Sequence, residues 1–158
     1  MATNPASVLE LPKARWVTDD VAMLYDMATR FLAEEIAPKY DAFEEAEIFD
    51  RESWKKAGAN GLLCASMPEQ YGGSGGTFAH ESAIIEAISH VGVDGFGIAL
   101  HNSIVAPYIL HYGSEEQKKK WLPRMASGEL IGAIAMTEPG AGSDLQGVKT
   151  RAEKDGNH

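Results

Sequence analysis

Between Lys56 and Lys118 the chain carries no lysine or arginine, although six acidic residues (Glu69, Glu81, Glu86, Asp94, Glu115 and Glu116) fall within that stretch. Long cationic side chains normally coat the solvent-facing side of helices. The middle of the chain is therefore expected to be covered on several sides. Two arrangements would cover it: a helix pair buried within the domain, which is the preferred reading, or a face kept apolar for a ligand or a second subunit.

A chain of 158 residues, 44% hydrophobic and 23% charged, fits one ordinary globular domain. A domain of this size buries roughly 70% of its unfolded surface, so its core needs no disulfide or metal. Cys64 is the single cysteine and has no partner for an internal disulfide. The net charge of −9 is spread along the chain and disfavours nucleic acid as a partner. No apolar run approaches the roughly 20 residues of a membrane span. Residues Met1 to Trp16 lack both a signal-peptide core and a Ser/Arg-rich transit pattern, which makes the cytoplasm the default compartment.

From Thr18 to Pro38 the residues Val21, Leu24, Tyr25, Ala28, Phe31, Leu32 and Ile36 recur at three and four, the stripe of an amphipathic helix. Thr18 can cap it, Asp19 and Asp20 suit its positive end, and Pro38 is expected to stop it. A short helix is expected over Ala42 to Ala46. A third is capped by Asp50, turns Trp54 and Ala57 inward, and ends at Asn60-Gly61. Two apolar helices follow, Thr77 to His90 and about Asp94 to His111, the latter bent near Pro107. Ser114-Glu-Glu-Gln117 is a capping box that opens a helix expected to end at Pro123.

Two segments break the helical pattern. Met67 to Gly76 holds four glycines in its last five residues, which requires a loop. A phosphate cradle is disfavoured there because neither a Gly-Lys-Ser/Thr ending nor a dinucleotide G-x-G-x-x-G frame is present. After Gly128, Leu130 to Met136 reads as a buried strand and Val148 to Ala152 as a second, with a turn at Lys154 to Asn157. The expected fold class is mainly α: an N-terminal helical bundle over residues 1–129, followed by the first strands of an incomplete β domain over residues 130–158.

Most of the reactive side chains read as structural. His80, His90, His101 and His111 lie about ten apart, whereas helical metal ligands sit at i and i+3 or i+4, so no metal site is expected. No Gly-x-Ser-x-Gly elbow exists, and Cys64 lies in an apolar run that reads as core. The loop Met136-Thr-Glu-Pro-Gly-Ala-Gly-Ser-Asp144 is different in kind. Its glycines and Pro139 open the backbone, so several N–H groups and the Ser143 hydroxyl can converge on one anionic or carbonyl-bearing group. A Gly-rich hairpin turn, with Ser143 and Asp144 satisfying backbone donors, explains the same residues equally well.

Met136 to Asp144, with Leu145-Gln-Gly-Val-Lys-Thr150 after it, closely resembles the signature of the acyl-CoA dehydrogenase flavoprotein family. Pro68-Glu-Gln-Tyr-Gly-Gly-Ser-Gly75 and Tyr112-Gly-Ser-Glu-Glu-Gln-Lys-Lys119, with Leu122-Pro123, resemble that family in the same order and at similar distances. Ile104 to Tyr112 and Ile131 to Met136 are most similar to its long-chain branch.

The resemblance implies an FAD enzyme that removes the pro-R α-proton and a β-hydride from a fatty acyl-CoA, giving a trans-2-enoyl-CoA. Electrons would pass to an electron-transfer flavoprotein, and the full-length form would be a homo-oligomer, a tetramer. By the same resemblance Ile134, Ala135, Met136, Thr137, Gly142 and Ser143 are expected to bind the cofactor. Thr137 would meet the ring edge, and Ser143 both the pyrophosphate and the CoA side of the substrate. Many relatives carry an aromatic residue at the position of Ile134. Ser143, Gly95 and Ala99 are the expected substrate contacts. Gly95, Gly97 and Ala99 are small residues in an expected helix, where glycine costs about 1 kcal/mol against alanine. Either an acyl chain or a neighbouring helix would explain that close packing. In a eukaryote the expected compartment becomes the mitochondrial matrix.

The family's catalytic base is a glutamate of a C-terminal helical domain, so no catalytic residue is assigned here. Glu138 and Asp144 are the nearest carboxylates, and Glu138 is expected to face solvent or cap a turn. The chain is therefore expected to be the N-terminal portion of such an enzyme, a fragment or a truncated product, inactive alone. The alternative is a non-catalytic helical module that docks on a full-length flavoprotein subunit through residues 57–117.

Overall fold

The structure, a computed structural model, describes residues 14–156. Most of the stretch read for targeting, Met1 to Trp16, and the last residue of the expected 154–157 turn lie outside the described residues. Helix α1 (Asp19–Phe31) starts after Thr18 with two aspartates in its first turn. Pro38 does not stop it. The chain passes through a π-turn (Leu32–Ile36) and a 3₁₀ turn (Ala37–Lys39) into α2 (Tyr40–Ala46). Pro38 lies in the first turn of the 3₁₀ segment, where a missing N–H costs little. Asp50 caps α3 (Arg51–Ala59), accepting the Ser53 N–H at 2.6 Å.

Helix α4 (Phe78–Val91) packs along α1 and buries Glu81, Ala83, Ile84, Ala87 and Ile88. The next helix begins only at α5 (Ile98–Leu100), four residues later than expected, because Val93 to Gly97 forms turns. It continues through a π-turn (His101–Val105) into α6 (Ala106–Tyr112). The π-turn ends just before Pro107, and its wider register is how the helix carries a proline.

The Ser114 capping box opens α7 (Glu115–Ala126) as expected, but α7 runs through Pro123. An interior proline costs about 3 kcal/mol. Leu122 and Met125 are fully buried, and each recovers about 1.5–3 kcal/mol, which outweighs that cost.

Two clusters form the interior. The larger joins α1, the π-turn after it, α3 and α4 through Phe31, Leu32, Ile36, Trp54 and Ile84, with Phe96 from the turns after α4; the smaller joins Cys64, Met67 and Tyr71 to Leu122 and Met125 of α7. Phe96 is the hinge of the aromatic set, stacked on Phe49 at 4.9 Å and edge-on to Trp54 at 5.1 Å. The cation-free stretch is thus divided. The inner face of α4 is buried, as the preferred reading held, while Ile104, Tyr108 and Tyr112 on the following helix stay exposed.

The expected strands do not form. Residues 130–136 and 148–152 are extended but pair with nothing, and the one β-bridge among the described residues joins Glu138 to Ala141. A strand is defined by its partner, and these segments have none among the described residues. The domain is mainly helical, without a sheet in the described residues.

Candidate site at the junction of the helices and the extended segment

A cleft of about 750 Å3 opens where the helices meet residues 131–132. Phe43, Phe49 and Trp54 form its aromatic side, Gly95, Gly97 and Leu100 a second, and Ile131 with Gly132 a third. Gly95 is small for a reason the structure shows. A Cβ on Gly95 would lie 2.8 Å from the Tyr40 hydroxyl, which accepts the Gly95 N–H at 2.9 Å. A Cβ on Gly97 would meet the Trp54 ring at 3.7 Å. Tyr40 of α2 thus provides the close approach at Gly95, while the Trp54 ring of α3 leaves ordinary contact distance at Gly97. Ala99 is half-buried and does not line the cleft.

Behind this cleft lies a buried polar junction. Asn102 accepts the Cys64 N–H at 2.9 Å through Oδ1, and its Nδ2 donates to the Leu62 carbonyl at 2.8 Å and to Glu81 Oε2 at 2.9 Å. Glu81 Oε1 accepts the Ser66 N–H at 2.8 Å. These bonds hold Cys64 in the left-handed region, with φ of 55°. His101 Nδ1 accepts the Gly132 N–H at 3.0 Å, so its Nε2 carries the hydrogen and donates to the Met125 carbonyl at 3.2 Å. Burial lowers the His101 pKa, with the Met125 bond opposing. Burial raises the Cys64 thiol to about 12, assisted by the Glu81 charge, so the thiol is protonated and unreactive. Sequence reasoning treated His101 and Cys64 separately and did not find this junction. The available signal was two adjacent polar residues, His101 and Asn102, inside an apolar, cation-free helix.

The extended segment presents a different surface. Ala133 to Thr137 are exposed, and among the described residues no hydrogen bond ties their N–H groups. Beyond them Glu138 closes the loop: it accepts the N–H groups of Lys149 at 2.7 Å and Thr150 at 2.9 Å, and also the Thr150 hydroxyl. Those donors, the Thr150 hydroxyl foremost, lower the Glu138 pKa. Its carboxylate caps a turn, which was one of the two roles expected, and all its lone pairs in use are spent on the loop. Asp144 accepts the Gln146 N–H at 3.2 Å. Gly140 and Gly142 have open space where a Cβ would lie, and Ser143 is exposed.

Of the residues expected to bind a cofactor, Ile134, Ala135, Met136 and Thr137 thus form one continuous edge, with Gly142 and Ser143 on the loop that Glu138 closes. Free backbone donors beside exposed Ile134 and Met136 suit the rim of a planar, amide-bearing ring. An open Gly142-Ser143 turn with a hydroxyl suits a phosphate. The donor set fits an FAD approached from one side.

The other signals resolve into packing. In the glycine-rich loop the Gly75 and Gly76 N–H groups donate to the Met67 and Ala65 carbonyls, and a Cβ on Gly73 would lie 2.2 Å from the Met67 oxygen. Its donors are folded inward, so the loop is structural. His80 completes the α4 cap and meets Asp20 of α1 at 2.9 Å, while His90 lies edge-on to Tyr25. Among the described residues no group of three His, Cys, Asp or Glu could hold a metal, and no helix is long and apolar enough to cross a membrane.

Residues 18–129 match the acyl-CoA dehydrogenase N-terminal domain family. The chain is 44% identical over 157 residues to the mitochondrial long-chain specific acyl-CoA dehydrogenase of Sus scrofa, covering 94% of this chain and 36% of that protein. It is similar to the crystal structure of an acyl-CoA dehydrogenase from Geobacillus kaustophilus, with 49% identity, a TM-score of 0.85, and coverage of 91% of this chain and 38% of that one. An acyl-CoA dehydrogenase from Bacillus anthracis, solved complexed with FAD, matches at 38% identity and a TM-score of 0.77 over 84% of this chain and 23% of that one. The chain therefore spans between 23% and 38% of the length of these relatives.

Proposed function

Because the chain belongs to the acyl-CoA dehydrogenase family, we propose that it serves the α,β-dehydrogenation of a long-chain fatty acyl-CoA in fatty-acid β-oxidation. The observation that carries this reading is the cleft itself. Its lining is mostly apolar, with Glu47, Asp50 and Arg51 also bordering it; it is walled by Trp54, Gly97 and Leu100, and its third wall is the segment that runs on into Ile134 to Thr137. An acyl chain seated there would bring its thioester end toward that edge.

FAD, when bound, supplies the hydride acceptor. The chain's own residues bind and orient. The free N–H groups of Ala133 to Thr137 and the Thr137 hydroxyl would hold the ring edge, with Ile134 and Met136 covering it from water. Gly142 and Ser143 would hold the pyrophosphate, and Ser143 the CoA side of the substrate. Gly95 would border the acyl chain as part of the cleft wall, and Ala99, which does not line the cleft, would act only through its neighbour Leu100. Glu138 is tied to the loop by three hydrogen bonds from Lys149 and Thr150, and Asp144 accepts the Gln146 N–H, so neither is assigned as the base for the α-proton. No base for the α-proton is assigned among the described residues. Residues 1–129 act as the helical unit and residues 130–158 as the start of a flavin-binding β domain.

The partners of this reading are a fatty acyl-CoA, an electron-transfer flavoprotein as acceptor, and further copies of the full-length subunit in a tetramer. The compartment is the bacterial cytoplasm or, in a eukaryote, the mitochondrial matrix. A non-catalytic docking module is not favoured, since the family to which the chain belongs is enzymatic.

The test is a titration with palmitoyl-CoA and with isovaleryl-CoA of a Trp16→Phe, Trp121→Phe variant, in which Trp54 is the remaining tryptophan and its fluorescence is read. Saturable quenching by the long chain at lower concentration than by the short one is expected. No change with either thioester would contradict the acyl assignment.

A further inference from the structure

His101 and Asn102 are consecutive and both fully buried, although neighbours on an α-helix diverge by about 100°. They reach opposite sides of the interior from the first residues of the π-turn His101–Val105, a local widening that recurs at functional positions. Asn102 holds the 62–66 segment. His101 reaches the other way, from the Met125 carbonyl to the Gly132 amide. Among the described residues, that Gly132 bond is the only hydrogen bond between residues 131–137 and the helices. Gly132 is also seated tightly, since a Cβ there would lie 2.8 Å from Val105 Cγ1 on the same π-turn.

We propose that His101 is a positioning residue of the site: by accepting the Gly132 amide hydrogen it sets the register at which Ile134 to Thr137 leave the helical body. Gly132 is a wall of the cleft and lies two residues before that edge, so one bond fixes both surfaces relative to each other. The ring is suited to the task. It is held in one tautomer by two backbone groups of opposite kind, and the Trp54 ring lies 5.4 Å away. The functional meaning of the tether rests on the acyl and flavin reading above; the tether itself does not.

The test is amide exchange and 15N relaxation on the full chain, comparing the wild type with His101→Phe and His101→Gln. Phenylalanine keeps a ring but removes both hydrogen bonds, whereas glutamine can accept and donate. The wild-type Gly132 amide is expected to be protected, with backbone order parameters near ~0.85 at Ile131 to Ala133. In His101→Phe the Gly132 amide is expected to exchange at least about tenfold faster and the order parameters to fall below ~0.6, while Ile84 and Ile88 of α4 keep their protection. His101→Gln is expected to recover most of the protection. An unprotected wild-type Gly132, an unchanged segment in His101→Phe, or global unfolding of both variants would overturn the proposal. Added FAD separates the two claims. Perturbed Ile134 to Thr137 resonances in the wild type, weakened in His101→Phe, support both, whereas no perturbation in the wild type counts against the flavin reading and leaves the tether result intact.

Discussion

Asn102 Nδ2 donates to Glu81 Oε2 at 2.9 Å, joining the helix that begins at Ile98 to α4 across an interior in which both residues are almost completely buried. The pair lies inside the stretch of sequence that holds no lysine or arginine, so the carboxylate is satisfied by an amide side chain and by the Ser66 N–H rather than by a cation. A buried carboxylate without such donors would be costly.

Replacing Asn102 with leucine keeps the volume and removes every bond that it makes. The Cys64 N–H, the Leu62 carbonyl and one oxygen of Glu81 are left without it. Each buried group so orphaned costs about 1–3 kcal/mol, so a loss on the order of 3 kcal/mol is expected in urea unfolding. A change below about 1 kcal/mol would show that water or a shifted side chain takes over these bonds.

Gly128 and Gly92 share a left-handed backbone, with φ of 75° and 79°, but differ in their surroundings. A Cβ on Gly128 would lie 2.3 Å from the Trp54 carbonyl oxygen, whereas one on Gly92 would meet nothing within 4 Å. Gly92→Ala is expected to cost about 1–2 kcal/mol, the backbone penalty alone. Gly128→Ala adds a clash with the α3 backbone and is expected to cost at least about 2 kcal/mol more. Denaturant midpoints of the two variants make the comparison, and equal losses would contradict the close approach of Gly128, just after α7, to the α3 backbone.

His101 carries a pH signature. Its folded pKa is lowered by burial, so as pH falls through the ordinary histidine value of 6.5 the unfolded chain takes up a proton that the folded chain refuses. Stability from this group is full above that value and declines as pH drops toward the folded pKa. Asp20, Glu115 and Glu138 have lowered pKa values and act in a separate, more acidic window, below their ordinary carboxylate values. Unfolding free energies at about pH 8 and about pH 5.5 should therefore differ more in the wild type than in His101→Gln. An equal difference in both proteins would place the titration elsewhere.

The local signals were legible in the sequence wherever the structure is decided locally. Asp50 and Ser114 cap the helices that their side chains mark, and the stripe from Val21 to Phe31 faces the core, because a cap or a 3.6-residue period needs only neighbouring residues. Pro38 and Pro123 misled. Pro38 falls in the first turn of a 3₁₀ segment, where its missing N–H costs little, and the cost of Pro123 is outweighed by the burial of Leu122 and Met125, which is tertiary. The apolar run 130–136 has the composition of a strand and no partner among the described residues, and pairing cannot be read from one segment. The site divided along the same line. The edge Ile134 to Thr137 was found through its resemblance to a family signature. The tether from His101 to Gly132 spans 31 residues and depends on a π-turn that no local pattern announces.

The most direct test of the acyl-cleft assignment is photolabelling of the chain with a palmitoyl-CoA that carries a diazirine at the far end of its acyl chain, followed by peptide mapping. Label on residues 95–100 and 131–132, abolished by excess palmitoyl-CoA, is the result expected. Label confined to the exposed Tyr108, Tyr112 and Trp121 surface, or no competable label at all, would contradict the assignment of the cleft.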